Sequence, residues 1–371
     1  MTRCRTGFEA DAGMSATSLP TPYLRLDVAK AQASIEAMAA RARALGVALR
    51  PHAKTHKSVR LGRLQLDAGA VGLTVATVGE AEDFAAGGCA DIFIAYPLWV
   101  DAPKARRLAA VLEWASVAVG VDSTASLDAM AAHGIRPEVV VEVDSGHHRS
   151  GVSPEAAGEI GRYAADAGFV VRGVFTFPGH SYTPQTRASA AADEAIALAV
   201  AAESLAGQGI AVSVRSGGST PSAQFAVGRP GGSSGGGGLT ELRPGVYVFG
   251  DAQQVELGTC AMGDVALTVV ATVVSHAGGR VILDAGSKAL GADRAPWASG
   301  YGRLAEAPDA RIVALSEHHA TVEWSGGRLP QLGSRVLVVP NHVCNTVNLA
   351  DVYVIGDGPE TWPVDARGCN S

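Results

Sequence analysis

The stretch Gly46-Val47-Ala48-Leu49-Arg50-Pro51-His52-Ala53-Lys54-Thr55-His56-Lys57 joins a short apolar run to a basic segment. The apolar run has the length and composition of a buried strand. Five of the eight residues from Arg50 to Lys57 carry a cationic or imidazole side chain. Like charge and partial burial both lower the pKa of a lysine, and a neutral amine can attack a carbonyl carbon. The stretch therefore predicts a strand that ends at a reactive Lys54, and a solvated basic loop is the alternative.

The same order, an apolar strand and then a polar cluster, recurs along the chain. From about residue 23, where Tyr23–Leu26 is the first predicted strand, to about residue 250, short apolar strands alternate with Ala-rich helices. Such strands indicate a parallel sheet that is covered on both faces. About eight of these units predict a (β/α)8 TIM-type barrel, whose active site lies at the carboxyl ends of its strands. The polar clusters of this kind are Glu142–Gly151, Gly179–Tyr182 and Ser216–Pro221.

Beyond residue 251 the pattern changes to strands separated by turns, which predicts a second, mostly antiparallel β domain. We therefore expect a flexible N-terminal arm at 1–20, a barrel at 21–250 and a β domain at 251–371. A run rich in glycine and serine at 228–238 predicts a mobile surface loop without chemistry, with an insertion at 231–238.

Composition excludes several classes of function. The chain has 371 residues, of which 47% are hydrophobic and 18% charged, so a large core is possible. A net charge of −6 argues against a nucleic-acid partner. Five cysteines without paired spacing are typical of an intracellular protein. No apolar run approaches the ~20 residues that cross a bilayer, and no signal peptide precedes the arm, so we expect a cytoplasmic protein without a membrane partner.

The cluster Ser216–Pro221 offers backbone N–H groups and three hydroxyls within six residues. A loop of this kind can hold a phosphate near the last strands of a barrel, although many such loops are ordinary turns. With Lys54 and Arg149 on the same rim, it predicts a site for pyridoxal 5'-phosphate (PLP) in which Lys54 bonds to the cofactor aldehyde.

His342 and Cys344 lie two residues apart in the β domain. On a strand they would project from the same face, and an imidazole with a thiolate makes half of a Zn²⁺ site. Two protein ligands leave room for water or substrate. The alternative is a core cysteine beside a satisfied histidine.

Taken together, these residues resemble the fold-type III PLP enzymes of the D-threonine aldolase and D-serine dehydratase group, relatives of alanine racemase. The resemblance extends from Thr21-Pro22 to Val364. The motifs that carry it are Arg50–Lys57, Glu142–Gly146 with Arg149, Pro178–Tyr182, Thr240–Gly245, Leu283–Lys288, Glu317–His319 and His342–Cys344.

The resemblance implies a role for each of these residues. Lys54 would be the catalytic lysine that bonds to PLP, and Arg149 would lie beside the cofactor ring. Gly218, Ser219 and Thr220 would hold the phosphate, and His342 and Cys344 would bind a metal. In this family the β domain of one subunit completes the barrel site of its partner, so a homodimer with shared sites is implied. Further cofactor contacts are expected from His180, Tyr182, Ser216 and Tyr247.

The family divides at the metal site, where aldolases resemble His-x-Asp and dehydratases resemble His-x-Cys. Cys344 therefore favours a PLP- and metal-dependent lyase that converts D-serine to pyruvate and ammonia. A thiolate favours Zn²⁺, with Mn²⁺ or Mg²⁺ as alternatives. Cleavage of a β-hydroxy D-amino acid to glycine and an aldehyde stays open, as do a racemase and a non-catalytic PLP carrier. Asn345, where relatives often have proline, and the insertion leave the substrate side chain undetermined.

Overall fold

The computed structural model describes residues 19–228, 238–324 and 326–371. Residues 1–18 of the predicted arm and 231–237 of the predicted insertion lie outside this range. The chain forms two compact units. The first contains the described residues up to 31 together with 251–253 and 262–364, and the second contains 32–250, 254–261 and 365–371.

Seventeen strands and ten α-helices occur in the described residues. The strands are β1 Tyr23–Leu26, β2 Ala48–Leu49, β3 Leu73–Val75, β4 Asp91–Pro97, β5 Ser116–Val121, β6 Glu138–Glu142, β7 Val171–Phe175, β8 Val214–Gly217, β9 Glu241–Leu242, β10 Leu267–Ser275, β11 Val281–Leu283, β12 Gly302–Leu304, β13 Arg311–Leu315, β14 Ala320–Glu323, β15 Arg335–Pro340, β16 Val352–Ile355 and β17 Thr361–Pro363. The helices are α1 Val28–Leu45, α2 Val59–Asp67, α3 Val78–Ala86, α4 Ala102–Leu112, α5 Thr124–Ala132, α6 Ala157–Asp166, α7 Arg187–Gly207, α8 Ala252–Glu256, α9 Ser287–Leu290 and α10 Val343–Asn348.

The second unit is the predicted (β/α)8 barrel. Its sheet has the order β2-β9-β8-β7-β6-β5-β4-β3, and all of its pairs are parallel. The two outer strands meet through a parallel bridge between His52 and Thr74, and the Thr74 amide donates to the Pro51 carbonyl at 2.8 Å. The sheet therefore closes on itself, with the carboxyl ends of its strands on one rim.

Two apolar cores stabilise this barrel. The larger lies between the strands and the surrounding helices and includes Val119, Leu127 and Val141. A smaller one fills the interior, where the rings of Phe93 and Phe175 meet edge to face at 5.0 Å. In the described part of the chain, no helix is long and apolar enough to cross a membrane.

The first unit is the predicted, mostly antiparallel β domain. Its strands have the order β11-β14-β13-β12-β15-β10-β1-β16-β17, and β10 also pairs with β11, which closes the first six into a small barrel. The expectation that Tyr23–Leu26 is a barrel strand is wrong. It pairs antiparallel with β10 and parallel with β16, because its alternating buried side chains suit a sheet with one covered face.

Arg50, which directly follows β2, forms a buried ion triad with Asp91 and Glu241 in the second unit. Its side chain is 2% exposed. Its Nε donates to Glu241 at 2.7 Å, and its two terminal nitrogens donate to Asp91 at 2.8 and 2.9 Å. Burial opposes the charge, yet Glu241 and Asp91 hold the pKa of Arg50 above its usual value. The triad connects β2, β4 and β9.

Removing the guanidinium would leave the buried carboxylate of Glu241 without its cation. We expect Arg50→Met to lower the free energy of unfolding by about 3–5 kcal/mol in urea titrations. Arg162→Met is the matched control, because it breaks an exposed pair with Asp166 and should cost less than about 1 kcal/mol. Equal losses in the two variants would contradict a structural role for the Arg50 triad.

Candidate active site

A cavity of about 600 Å³ opens at the carboxyl ends of the barrel strands. Nearly all of its lining residues lie at the end of a strand or just after it, and Asn370 comes from the last segment of the chain. The lining residues are His52, Lys54, Ala76, Thr77, Ala95, Tyr96, Pro97, Asp122, Arg149, Ser150, Phe177, Arg243 and Asn370. Of the predicted site residues, the structure brings Lys54 and Arg149 to this cavity.

Lys54 lies in a short 3-10 helix, Ala53–Thr55, that follows β2. Its ammonium lies 5.7 Å from the centre of the Phe177 ring, and the guanidinium carbon of Arg149 lies 5.1 Å from the same centre. The negative face of an aromatic ring attracts cations. Phe177 therefore holds both cationic side chains at one wall of the cavity.

The imidazole of His52 contacts the backbone of Lys54. Its Nδ1 accepts from the backbone N–H of Lys54 at 3.4 Å. Burial, and then the charges of Lys54 and Arg243, lower the pKa of His52 well below its usual value. His52 is therefore neutral at pH 7 and caps the turn that presents Lys54.

The other basic residues of the stretch turn away from Lys54, contrary to the idea that their charges keep it reactive. The Lys57 ammonium pairs with Glu80 at 3.1 Å. His56 hydrogen-bonds Gln65 at 3.1 Å, and burial lowers its pKa to about 4, although the Gln65 bond opposes the shift. Their charges are thus neutralised or absent, as the charge of Arg50 is in its buried triad.

Arg149 is presented by a turn that Asp144 organises. The Asp144 carboxylate accepts from the backbone N–H groups of Gly146 and His148 at 2.9 and 3.0 Å. Arg149 then lies 3.7 Å from Glu142, whose other oxygen accepts from Ser150 at 3.0 Å. Arg149 is half-exposed, so its guanidinium is available to an anion.

The predicted phosphate loop follows β8. Gly218 has φ +87°, and a Cβ there would lie 2.3 Å from Leu242, so only glycine suits the turn. Ser219 exchanges hydrogen bonds with Ser181 and Ser222 at 2.8 and 2.9 Å. The Thr220 hydroxyl accepts from the Tyr247 amide at 3.0 Å. The loop is thus folded tightly around small polar side chains.

Seven predicted cofactor contacts do not line the cavity: the loop residues Gly218, Ser219 and Thr220, and also Ser216, His180, Tyr182 and Tyr247. The Ser216 hydroxyl donates to Glu241 at 2.6 Å, which directs it into the barrel interior rather than toward a phosphate. His180 pairs with Asp193 at 3.2 Å. Tyr182 lies with its ring centre 6.2 Å from that of Phe177. The Tyr247 hydroxyl accepts from Gln65 at 2.9 Å in the buried chain that begins at His56.

Sequence reasoning missed Arg243, Thr77, Asp122 and Asn370. The first three follow β9, β3 and β5, so the rule that identified the other clusters could have found them. Arg243 is buried at the cavity wall, and its guanidinium carbon lies 5.4 and 5.2 Å from the ring centres of Phe93 and Phe175. No signal pointed to Asn370, because it lies more than 300 residues along the chain from Lys54.

The barrel residues fit PLP. The Nε of Arg243 is buried without a hydrogen-bond partner beside the cavity, and an anionic cofactor would supply an acceptor. Lys54 provides the amine for the aldehyde, and Arg149 provides a half-exposed guanidinium for an anion. The chemistry of this donor set suits an anionic aldehyde.

His342 and Cys344 do not lie on a strand, contrary to expectation, because β15 ends at Pro340. His342 directly precedes α10, its side chain makes no capping hydrogen bond to the helix, and Cys344 lies in the first turn. His342 Nδ1 hydrogen-bonds Asp293 at 2.5 Å. Burial opposes its protonation, but the Cys344 sulfur and Asp293 raise the pKa of His342 to about 11.

The two side chains hydrogen-bond each other, so a nitrogen and a sulfur lie within reach of one cation. Asp293 orients the imidazole as an outer carboxylate does in many metal sites. This donor set fits a soft divalent metal. In the described residues no group of three or more His, Cys, Asp or Glu side chains could hold a metal.

Comparisons with known proteins place this geometry in context. Residues 26–253 match the family described as the alanine racemase N-terminal domain, and residues 266–356 match a putative serine dehydratase domain. The chain is 36% identical to D-threo-3-hydroxyaspartate dehydratase from Delftia sp. (strain HT23), over 93% of this chain and 97% of the relative. It is also 36% identical to D-threonine aldolase from Arthrobacter sp., over 97% and 96%.

Solved structures of related proteins show the same similarity. The Delftia dehydratase superposes with a TM-score of 0.83 at 35% identity, covering 94% of this chain and 98% of that one. Solved variants of this dehydratase replace by alanine a histidine and a cysteine that have one residue between them, and the cysteine variant is described in a metal-free form.

Glu194 of α7 supports the phosphate loop and generates a pH prediction. Its carboxyl accepts from the Gly218 amide, and burial raises its pKa from 4.5 to about 7 although that bond opposes the shift. Between these values the native protein binds more protons than the unfolded chain. The free energy of unfolding should therefore fall as pH rises through this window, by about 2–3 kcal/mol from about pH 5 to about pH 8.

Glu194→Gln should remove this fall, because the amide keeps an oxygen for Gly218 and does not ionise. Urea titrations at both pH values measure the difference between variant and parent. Glu203→Gln changes an exposed carboxylate on the same helix and is the matched control. Equal pH slopes for Glu194→Gln and the parent protein would show that Glu194 does not ionise in this range.

Proposed function

The chain belongs to the alanine racemase-like family that contains D-threo-3-hydroxyaspartate dehydratase and D-threonine aldolase, and within it we propose that this PLP-dependent lyase is a dehydratase. Lyases of this family act on β-hydroxy D-amino acids. The proposed reaction removes water from such a substrate and yields a 2-oxo acid and ammonia. D-serine, the simplest substrate, would give pyruvate.

The observation that carries this proposal is the contact of His342 with Cys344. Sulfur and imidazole ligands suit Zn²⁺, whereas a carboxylate in place of the sulfur would suit Mg²⁺ or Mn²⁺. The related dehydratase has a histidine and a cysteine with the same spacing among its studied residues, and its cysteine variant is described as metal-free. These facts support a zinc-binding role for the pair in this chain. When bound, the metal would act as a Lewis acid toward the substrate β-hydroxyl.

Lys54 would be the base. PLP, when bound, delocalises the electron pair left on the substrate α-carbon. The Lys54 amine would take the α-proton and become an ammonium, which would return this proton to the β-hydroxyl as the hydroxyl leaves as water. The resulting 2-aminoacrylate hydrolyses to pyruvate and ammonia, so atoms and charge balance. His52 keeps the Lys54 turn in place and, because it is neutral, adds no cation beside the base.

The remaining polar residues would hold the cofactor. We assign the phosphate to Gly218, Ser219 and Thr220, and the ring neighbourhood to Arg149. Gln65 donates to the Tyr247 oxygen, which leaves the Tyr247 hydroxyl proton for an acceptor such as a phosphate. We therefore keep Tyr247 as a cofactor contact that His56 and Gln65 orient.

Aldol cleavage is the second candidate, because the Arthrobacter relative is a D-threonine aldolase. The same lysine and cofactor would serve it, with cleavage of the bond between the α- and β-carbons in place of loss of the hydroxyl. The relatives, being lyases, do not favour the racemase or the non-catalytic carrier. A homodimer with shared sites, which the family resemblance implies, and a cytoplasmic location, which the composition indicates, stay predictions.

Lys54→Ala should abolish the visible absorbance that PLP acquires on bonding to a lysine. The purified parent protein, reconstituted with PLP, should show this band, and absorbance spectra measure both. Lys104→Ala, which removes an exposed lysine on α4, should keep it. A parent protein that stays colourless with added PLP would overturn the assignment of Lys54.

Product analysis separates the two reactions. D-serine should yield pyruvate, and turnover should fall at least about tenfold after treatment with a chelator and recover with Zn²⁺. Cys344→Ala should show the same loss without the chelator. Glycine and an aldehyde from D-threonine, with no 2-oxo acid from either substrate, would establish the aldolase instead. Turnover that a chelator leaves unchanged would refute the role of the metal.

A further inference from the structure

The last segment of the chain, residues 365–371, packs within the barrel unit. It is fixed at several points by the residues that begin α2 and α3. The Val59 amide donates to Asp365 at 2.7 Å, the Thr77 hydroxyl donates to the Cys369 carbonyl at 2.6 Å, and the Gly79 amide donates to the Ser371 carbonyl at 3.0 Å. This segment is therefore an ordered part of the cavity wall.

Lys57 is the central anchor of this segment. Its ammonium donates to the Ala366 carbonyl and to the Asn370 side-chain oxygen, each at 3.3 Å, and pairs with Glu80. Its backbone has φ +48°, in the left-handed region that costs energy for a residue other than glycine. The backbone of Lys57 also contacts the segment, since its carbonyl accepts from the Ala366 amide at 3.0 Å. The backbone and side-chain contacts together stabilise Lys57 in this conformation.

The anchor fixes the orientation of the Asn370 amide. An ammonium can only donate, so the atom of Asn370 that faces Lys57 is its oxygen. The NH₂ group of Asn370 therefore turns away from Lys57 and keeps its two protons for other acceptors. Asn370 lines the same cavity as Lys54 and Arg149, so this donor is part of the candidate active site.

We propose that Asn370 is a specificity-determining residue whose amide donates a hydrogen bond to a carboxylate of the amino-acid substrate, with Lys57 as its positioning residue. This inference rests on the proposed function. The carboxylate is either the α-carboxylate that every amino acid has, or a second one on the β-carbon. The positive charges that Arg149 and Arg243 bring to the lining suit either anion.

Asn370→Asp is the decisive variant. It keeps an oxygen for Lys57, so the anchor is retained or strengthened, but it replaces the NH₂ donor with an anionic oxygen. We expect KM to rise about tenfold or more while kcat changes less, since a donor to a charged group is lost and repulsion is added. Gln208→Glu, which makes the same amide-to-acid change on an exposed residue after α7, should leave KM unchanged.

Two substrates distinguish the two carboxylates. If Asn370 binds the α-carboxylate, Asn370→Asp raises KM equally for D-serine and for D-threo-3-hydroxyaspartate. If it binds a β-carboxylate, KM rises for the second substrate alone. Lys57→Met should raise the same KM values by a smaller factor, because the donor stays but loses its orientation. A KM for Asn370→Asp that matches the parent protein with both substrates would overturn the proposal.

Binding measured without turnover separates this inference from the proposed function. D-aspartate and D-alanine lack a β-hydroxyl and cannot lose water, and their dissociation constants for the PLP-loaded protein follow from absorbance titration. Asn370→Asp should raise the dissociation constant of D-aspartate at least about tenfold, even if neither hydroxylated substrate turns over. Unchanged binding of both amino acids would refute the role of Asn370, whatever the reaction proves to be.

Discussion

The closure of the (β/α)8 barrel depends on Arg50, whose backbone and side chain both make hydrogen bonds to other strands of the sheet or to residues beside them. Its backbone N–H donates to the Leu242 carbonyl at 2.9 Å, and its carbonyl accepts from the Thr74 hydroxyl at 2.9 Å. Its side chain fills the space between Glu241 and Asp91. Because β2 has only two residues in its ladder, backbone pairing alone would hold this seam weakly. The buried ion triad adds the side-chain contacts that fix the direction in which the chain leaves β2.

That direction determines what the next seven residues do. His52 pairs across the seam with Thr74 and caps the turn at Lys54. His56 begins a hydrogen-bonded chain through Gln65 to Tyr247, and Lys57 anchors the last segment of the chain. Residues that look like one basic run thus serve four separate purposes, and one of them, Lys54, presents its amine to the cavity. A high local density of basic residues in a sequence is therefore weak evidence of a lowered lysine pKa, because carboxylates can pair with the neighbouring cations and burial can keep the neighbouring imidazoles neutral.

Sequence reasoning succeeded where chemistry follows directly from strand order. Polar clusters after parallel strands must meet on one rim, so Lys54 and Arg149 could be predicted to share a site, and the fold class with them. It failed where the partner of a short segment decides its structure. Tyr23–Leu26 has the composition of a barrel strand, but β10 and β16 supply the edges that it pairs with. The helical start of α10 displaced the expected strand at His342, although the contact between His342 and Cys344 was kept by the first turn of the helix instead.

Reaction type and substrate choice have separate determinants in this chain. In the proposed metal site the softness of Cys344 favours Zn²⁺, but it contains no information about the substituent on the substrate β-carbon. Selectivity for that substituent must come from polar groups of the protein that hydrogen-bond one substituent and are left unpaired by another. Such groups discriminate strongly between substrates. The Asn370 amide is a group of this kind, since its oxygen is bonded to Lys57 and its protons are not. Under the proposed function, a substitution at Asn370 could therefore change the preferred substrate without any change at the proposed metal ligands His342 and Cys344.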